Sequence, residues 1–269
     1  MLALLDRVLP LLPVPVAAGV IRRVAFHPYR YRTKPEEQQV RATGRGFQYG
    51  AGLRAWSWGD AGPVVVLVHG WGGASVQWRR FIPPLVDAGY RVVAPDIAGH
   101  GLSPGRRIGF DLFAAGLAEL RDALAPGVIH AFVGHSAGGL GMMAARYLHG
   151  LEARKFVCIA TPSHPYPPVK VVGKKIRMPA AVVARFRESL ARQFRSDWDD
   201  ITARAFLPSQ GSELLLINDP RDRYLDDDDV PRILAHWPHA KLHLAAGVGH
   251  ENLIRADECI AALLEFLRA

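Results

Sequence analysis

The chain has 269 residues, 49% of them hydrophobic, which suits one large α/β domain or at most two small ones and excludes a mainly disordered polypeptide. Its formal net charge of +8 would suit an anionic partner, but Lys and Arg are spread along the chain and no nucleic-acid-binding motif occurs, so nucleic-acid binding is not expected. Two cysteines, Cys158 and Cys259, stand in apolar surroundings and offer neither a disulfide framework nor metal-ligand spacing.

Residues 1–46 open on MLALLDRVLPLLPVPVAAGVIRRVAF. Asp6 and Arg7 interrupt this apolar stretch, Pro10, Pro13 and Pro15 spoil a membrane-length helix, and the basic pair Arg22–Arg23 follows the apolar part instead of preceding it. The small residues Ala17, Ala18 and Gly19 keep a secretory signal open as an alternative. The reading adopted is a short helix and an arm that packs on the domain, then a polar linker over 27–39, in a cytoplasmic protein. Secretion or membrane association, with peripheral membrane contact through this segment, is the alternative.

From residue 47 to 161 short β-branched runs alternate with longer helical patterns, which predicts a mostly parallel sheet with helices on both faces. A hairpin is expected over 47–60, turning near Gly50 to Gly52. Buried strands are expected over 64–70, 91–96, 128–136 and 155–161, with helices over 75–89, 111–124 and 137–149. Residues 162–210 are far more chain than a simple crossover needs and predict a short helical lid. Within it, Met178, Val182, Val183, Phe186, Leu190 and Phe194 recur at helical spacing over 170–194, an amphipathic cap helix with a lipid interface as the sharper alternative. The core resumes over 211–269, with strands at 213–219 and 241–247 and a helix at 252–268. The acidic run Asp226 to Asp229 reads as the N-terminus of a helix rather than a calcium site.

The stretch FVGHSAGG holds Gly134-His135-Ser136-Ala137-Gly138, a G-x-S-x-G pattern between a strand and a helix. The glycines permit a tight turn that lifts the Ser136 hydroxyl above the sheet edge, and the helix N-terminus supplies backbone N–H groups and the positive end of a dipole. A serine hydroxyl needs a base to take its proton. His250, on the loop between the last strand and the last helix, opens at the same sheet edge and is assigned that role. His236, His239 and His243 fall on a helix, a turn and a strand, where structural roles are expected. The orienting acid should follow the strand ELLLIN, where Asp222 is favoured over Asp219 on reach. Two donors for a developing oxyanion are available, the Trp71 N–H in the glycine-rich loop His69-Gly70-Trp71-Gly72-Gly73 and the Ala137 N–H after the serine. Trp71 and His135 are the candidate substrate contacts, with the His135 side chain expected to point away from Ser136 and pack beneath the turn.

Taken together, HGWGG (69–73), APDIAGHGLSPG (94–105), GHSAGG, INDPRDR and GVGHENLI resemble the α/β-hydrolase fold superfamily, in its serine, acid, histidine order, over residues 47–269. The resemblance implies a serine acyl-transfer hydrolase, of the esterase and lipase-like branch, that needs no metal or organic cofactor. It also implies that Asp96 and His100 belong to a structural loop, Asp96 being an outside alternative for the acid. Because residue 136 is serine rather than aspartate, and the glycine loop lacks proline, the expected activity is carboxylic ester hydrolysis on a small substrate with an apolar acyl group. Thioester or amide hydrolysis and perhydrolysis with the same triad form the alternative, and a non-catalytic binding member of the fold a further one.

Overall fold

The computed structural model describes residues 7–27, 31–124 and 129–269. Residues 1–6, which include Asp6, residues 28–30 of the expected linker and Val128 lie outside the described residues.

The chain first forms α1 (Val14–Ala25), begun by Pro15 at its first turn, where a missing backbone donor costs nothing. Ala17, Ala18 and Ile21 are buried along one side of it. The expected polar linker is only partly that: Pro35–Thr43 is a second helix, α2. Its start is held by the Glu37 carboxylate, which accepts the Lys34 N–H at 2.9 Å, and Glu37 is fully buried because the Tyr31 hydroxyl (2.8 Å) and Arg79 (3.3 Å) satisfy its other oxygen.

The hairpin then appears as β1 (Arg45–Tyr49) and β2 (Leu53–Trp58), turning through Gly50 and Gly52. It joins β3 (Val64–Val68), β4 (Arg91–Asp96), β5 (Ile129–His135), β6 (Lys155–Ile159), β7 (Glu213–Asn218) and β8 (Lys241–Leu244) in one sheet of order β1-β2-β4-β3-β5-β6-β7-β8. Strands β1 and β2 pair antiparallel, β2 antiparallel to β4, and the remaining pairs are parallel.

Between them lie α3 (Ile82–Asp87), α4 (Phe110–Ala123) and α5 (Ala137–His149). After the sheet's last two strands come α9 (Asp229–His236) and α10 (Asp257–Arg268), numbered after the insertion helices α6 to α8 described below. In β3, Val64, Val66 and Val68 belong to a core shared with α4 and α5, whereas Val65 and Leu67 face a second core with Trp78, Leu85 and Leu263. Alternation along one fully buried strand thus places helices on both faces. β8 departs from the expectation of a buried strand: Leu242 and Leu244 are exposed, because β8 is the edge of the sheet.

The insertion between β6 and β7 contains α6 (Tyr166–Lys170), a wide π turn at Val171–Lys175, α7 (Ala180–Ala191) and α8 (Ile201–Ala205). The single amphipathic helix expected over 170–194 is therefore split. Pro179 sits at the N-cap of α7, leaving Met178 outside it, and Phe194 lies in a separate 3-10 turn. Met178, Val182, Phe186, Leu190 and Phe194 are nonetheless all buried. Phe186 meets Phe26 beyond the end of α1 at 6.1 Å between ring centres, and α7 packs against α1.

Only Asp229 of the acidic run is helical, with Asp228 at the N-cap, and Asp229 is buried rather than solvated. Its carboxylate accepts the Ser163 N–H at 2.7 Å, the Asp226 N–H at 2.8 Å and the Tyr166 hydroxyl, tying the start of the insertion to the start of α9. Among the described residues no cluster of His, Cys, Asp or Glu has metal-binding geometry. No described helix is long and apolar enough to cross a membrane.

Candidate active site

β5 ends at His135 and α5 begins at Ala137, so one residue, Ser136, reverses the chain. It does so at φ 53° and ψ −123°, a conformation L side chains rarely adopt, and its N–H is held by the Ile159 carbonyl at 2.9 Å. The flanking glycines are required by contact rather than by conformation. A Cβ on Gly134 would lie 2.5 Å from the Gly139 Cα, and one on Gly138 would lie 2.2 Å from the His69 carbonyl oxygen and 2.7 Å from that of Val68. Gly138→Ala pushes a methyl group into backbone atoms that cannot rotate away. It is expected to destabilise the fold by about 3 kcal/mol, read as a fall in Tm of roughly 6 to 12 °C. An unchanged Tm would mean that α5 does not rest so closely on β3.

The same closeness brings the glycine-rich loop to the serine, since a Cβ on Gly70 would stand 3.3 Å from the Ser136 Cβ. His69 holds that loop: its Nε2 accepts the Ile97 N–H at 3.1 Å, so its Nδ1 carries the proton and donates to the Gly70 carbonyl at 2.8 Å. The Trp71 indole packs on Phe110 (5.1 Å) and Phe26 (6.0 Å). Asp96 and His100 are scaffold. The Asp96 carboxylate accepts the N–H groups of Ser75 and Leu102, both at 2.7 Å, and His100 lies between the rings of His69 (4.9 Å) and Phe113 (5.2 Å).

The alternatives for the acid divide cleanly. Asp222 Oδ2 pairs with His250 Nδ1 at 2.6 Å, and its Oδ1 accepts the Tyr224 N–H at 2.9 Å. The Asp222 side chain is 1% exposed and that of His250 12%. Asp219 instead shapes the histidine loop, accepting the N–H groups of Gly247 (3.1 Å), Gly249 (2.6 Å) and Arg221 (2.9 Å). Burial by itself would raise the Asp219 pKa, but these backbone donors outweigh it and hold the carboxyl below its usual range. Each aspartate is thus committed to one task, and His236, His239 and His243 stand on a helix end, a turn and β8, as expected.

Ser136, His250, Trp71, Ala137 and His135 line one cavity of about 440 Å³. His135 is buried beside the serine turn. Its ring lies 4.9 Å from that of His250, and its Nε2 donates to the His250 carbonyl at 3.0 Å, so it braces the histidine loop while facing the cavity. The cavity also has walls that sequence reasoning missed: Ile21, Val24 and Ala25 of α1, Val172 and Ile176 of the insertion, and Tyr224, whose ring stands 4.9 Å from that of His250. The repeat of Ala17, Ala18, Ile21, Val24 and Ala25 at three- and four-residue spacing was the available signal for an inward-facing stripe.

Three buried histidines have a measurable consequence. Burial pushes His69 down to about 4, His100 to about 3 and His135 to about 3, with a neighbouring histidine adding to the shift at His100 and His135. An unfolded histidine takes up a proton near pH 6.5, whereas these folded ones do not. Their stabilising contribution is therefore complete above pH 6.5 and is lost as the pH falls from 6.5 towards 4, by at most about 1.4 kcal/mol per histidine per pH unit. Tm is expected to be nearly flat from pH 8 to 7 and to fall steeply below pH 6. A Tm independent of pH between 7 and 5 would overturn the neutral assignment.

A family model described as alpha/beta hydrolase fold matches residues 63–192. The chain is 36% identical over 122 residues to Epoxide hydrolase A of Mycobacterium tuberculosis, an alignment covering 43% of this chain and 37% of that protein. It is 34% identical over 155 residues to the non-heme chloroperoxidase of Streptomyces lividans, covering 55% of this chain and 54% of that one. The matched region thus spans about a third to a half of the length of these two relatives. Among solved structures, an esterase of Pyrococcus furiosus superposes with a TM-score of 0.63 at 18% identity, covering 90% of this chain and 97% of that one, a likeness of fold alone.

Proposed function

The chain belongs to the α/β-hydrolase fold superfamily, and from that premise we propose that it is a serine hydrolase that cleaves carboxylic esters through an acyl-enzyme, with Ser136 as nucleophile, His250 as base and Asp222 as the orienting acid. The observation that carries this reading is the 2.6 Å bond from His250 Nδ1 to Asp222 in the cavity that also holds Ser136. With Nδ1 held by the carboxylate, His250 Nε2 is the nitrogen free to take the Ser136 proton. The hydroxyl oxygen attacks the ester carbonyl, the N–H groups of Trp71 and Ala137 receive the oxyanion, and His250 returns the proton to the leaving alcohol. Water deprotonated by the same histidine releases the acid and restores Ser136.

Two features support an apolar acyl group: the aliphatic walls from α1 and the insertion, and a volume of about 440 Å³, within the range of small-molecule sites. Epoxide opening is the poorer reading because it takes an aspartate at the nucleophile position, and residue 136 is serine. The likeness to a chloroperoxidase supports a second reading, perhydrolysis with the same three residues.

The test has two parts. A fluorophosphonate probe is expected to label the protein, with the modified peptide containing Ser136; labelling elsewhere only would overturn the assignment. Hydrolysis of p-nitrophenyl acetate, butyrate and octanoate, compared with thioester, amide and peracid-forming assays, is expected to favour the oxygen esters. Faster turnover of another acyl donor would transfer the reading to that reaction.

A further inference from the structure

Five residues beyond His250, Arg255 lines the same cavity. It is the Lys or Arg of a wall otherwise built from apolar side chains and glycine, with Ser136, Tyr224, Gln77, Glu251 and two histidines as the other polar groups among the described residues. Its Nε is buried and has no hydrogen-bond partner, and its guanidinium has no ion-pair partner among the described residues. Glu251, on the same loop, is exposed and makes no ion pair with it. Arg255 is half-buried overall, and a guanidinium nitrogen desolvated beside a cavity without a partner is costly unless something arrives to pair with it.

Arg255 shares the cavity wall with His135, His250 and Gln77. The Oε1 of Gln77 is occupied by the Ala74 N–H at 3.3 Å, and its amide NH₂ donates to the Tyr31 hydroxyl. The nearby carboxylate, Glu37, is already taken by Arg79 at 3.3 Å and by Tyr31 at 2.8 Å. Arg255 thus carries the buried side-chain nitrogen of this lining that has no partner among the described residues.

We propose that Arg255 determines specificity by binding a carboxylate carried by the substrate at a distance from its scissile ester, so that the preferred substrates are half-esters of dicarboxylic acids or similar anionic esters. One guanidinium with no second Lys or Arg among the described lining residues matches a singly charged planar carboxylate better than a doubly charged phosphate. The proposal rests on the serine hydrolase reading for its ester, but the anion site itself does not.

Two measurements separate them. The first compares kcat/KM for p-nitrophenyl butyrate and the mono-p-nitrophenyl ester of glutaric acid. The parent is expected to prefer the anionic ester. Arg255→Met is expected to lower its kcat/KM for that ester on the order of tenfold or more while changing the neutral ester less than about threefold, and Arg255→Lys to keep part of the preference. The second measures binding of monomethyl glutarate and of dimethyl glutarate to Ser136→Ala by calorimetry, with and without Arg255→Met. The monoanion is expected to bind more tightly, and the advantage to vanish with Arg255→Met. If Arg255→Met lowers both esters alike, or the monoanion binds no better than the diester, the anion site is overturned. If no ester is turned over yet the monoanion binds through Arg255, the ester reading fails and the anion site stands.

Discussion

Replacing Ser136 by alanine is expected to lower kcat for ester hydrolysis by about 10⁵- to 10⁶-fold, leaving only the rate that the cavity and the oxyanion donors sustain without a nucleophile. The loss is large because every covalent step of the proposed mechanism passes through this one oxygen. It should come without loss of the fold: alanine meets the same positive φ as serine, and the bond from residue 136 N–H to the Ile159 carbonyl at 2.9 Å uses no side-chain atom. Steady-state kinetics beside thermal melting separates the two effects. A variant that keeps more than a hundredth of the parent activity, freed of contaminating esterase, would remove Ser136 from the mechanism.

Asp222→Asn is expected to have the next largest effect, a fall in kcat of about 10³- to 10⁴-fold with KM little changed. The side chain keeps its volume in a site that is 1% exposed, but an amide presented to His250 Nδ1 favours the tautomer with the proton on Nε2, which then cannot receive the serine proton. The charge that steadies the imidazolium is lost as well. Asp219→Asn is the informative partner, since it weakens the bonds to Gly247 and Gly249 without touching His250, and should cost far less in kcat than in Tm. If the two variants lose activity equally, orientation of the loop rather than the Asp222 carboxylate governs the rate.

Local chemistry explains which features could be read in advance. That Ser136 and His250 would meet in one cavity was readable because a strand, a glycine turn and a helix are each written in a few adjacent residues, and the parallel strands carry both to one sheet edge. The choice of Asp222 over Asp219 followed from reach alone, and the structure gives the pair to Asp222 at 2.6 Å. Features set by distant contact were not readable. Glu37 looked like part of a solvated linker, yet Arg79, 42 positions away, allows it to be buried. Pro179 divided a helix that apolar spacing alone made continuous. Nothing in the spacing of α1 says which cavity its apolar stripe will meet.

That wall joins segments far apart in sequence, Ile21 to Ala25 and His250 to Arg255, with all eight strands of the sheet falling between them along the chain. The reactive groups are rooted in the sheet edge and its loops, while the aliphatic lining comes from α1 and an insertion held against it. On the proposed mechanism the fit of the acyl chain is thus separable from the triad, whereas Arg255 stands on the histidine loop itself. If the proposed mechanism holds, substitutions along α1 would retune which acyl chains fit while Ser136, Asp222 and His250 stay in place, so that preference drifts by changes in one twelve-residue helix.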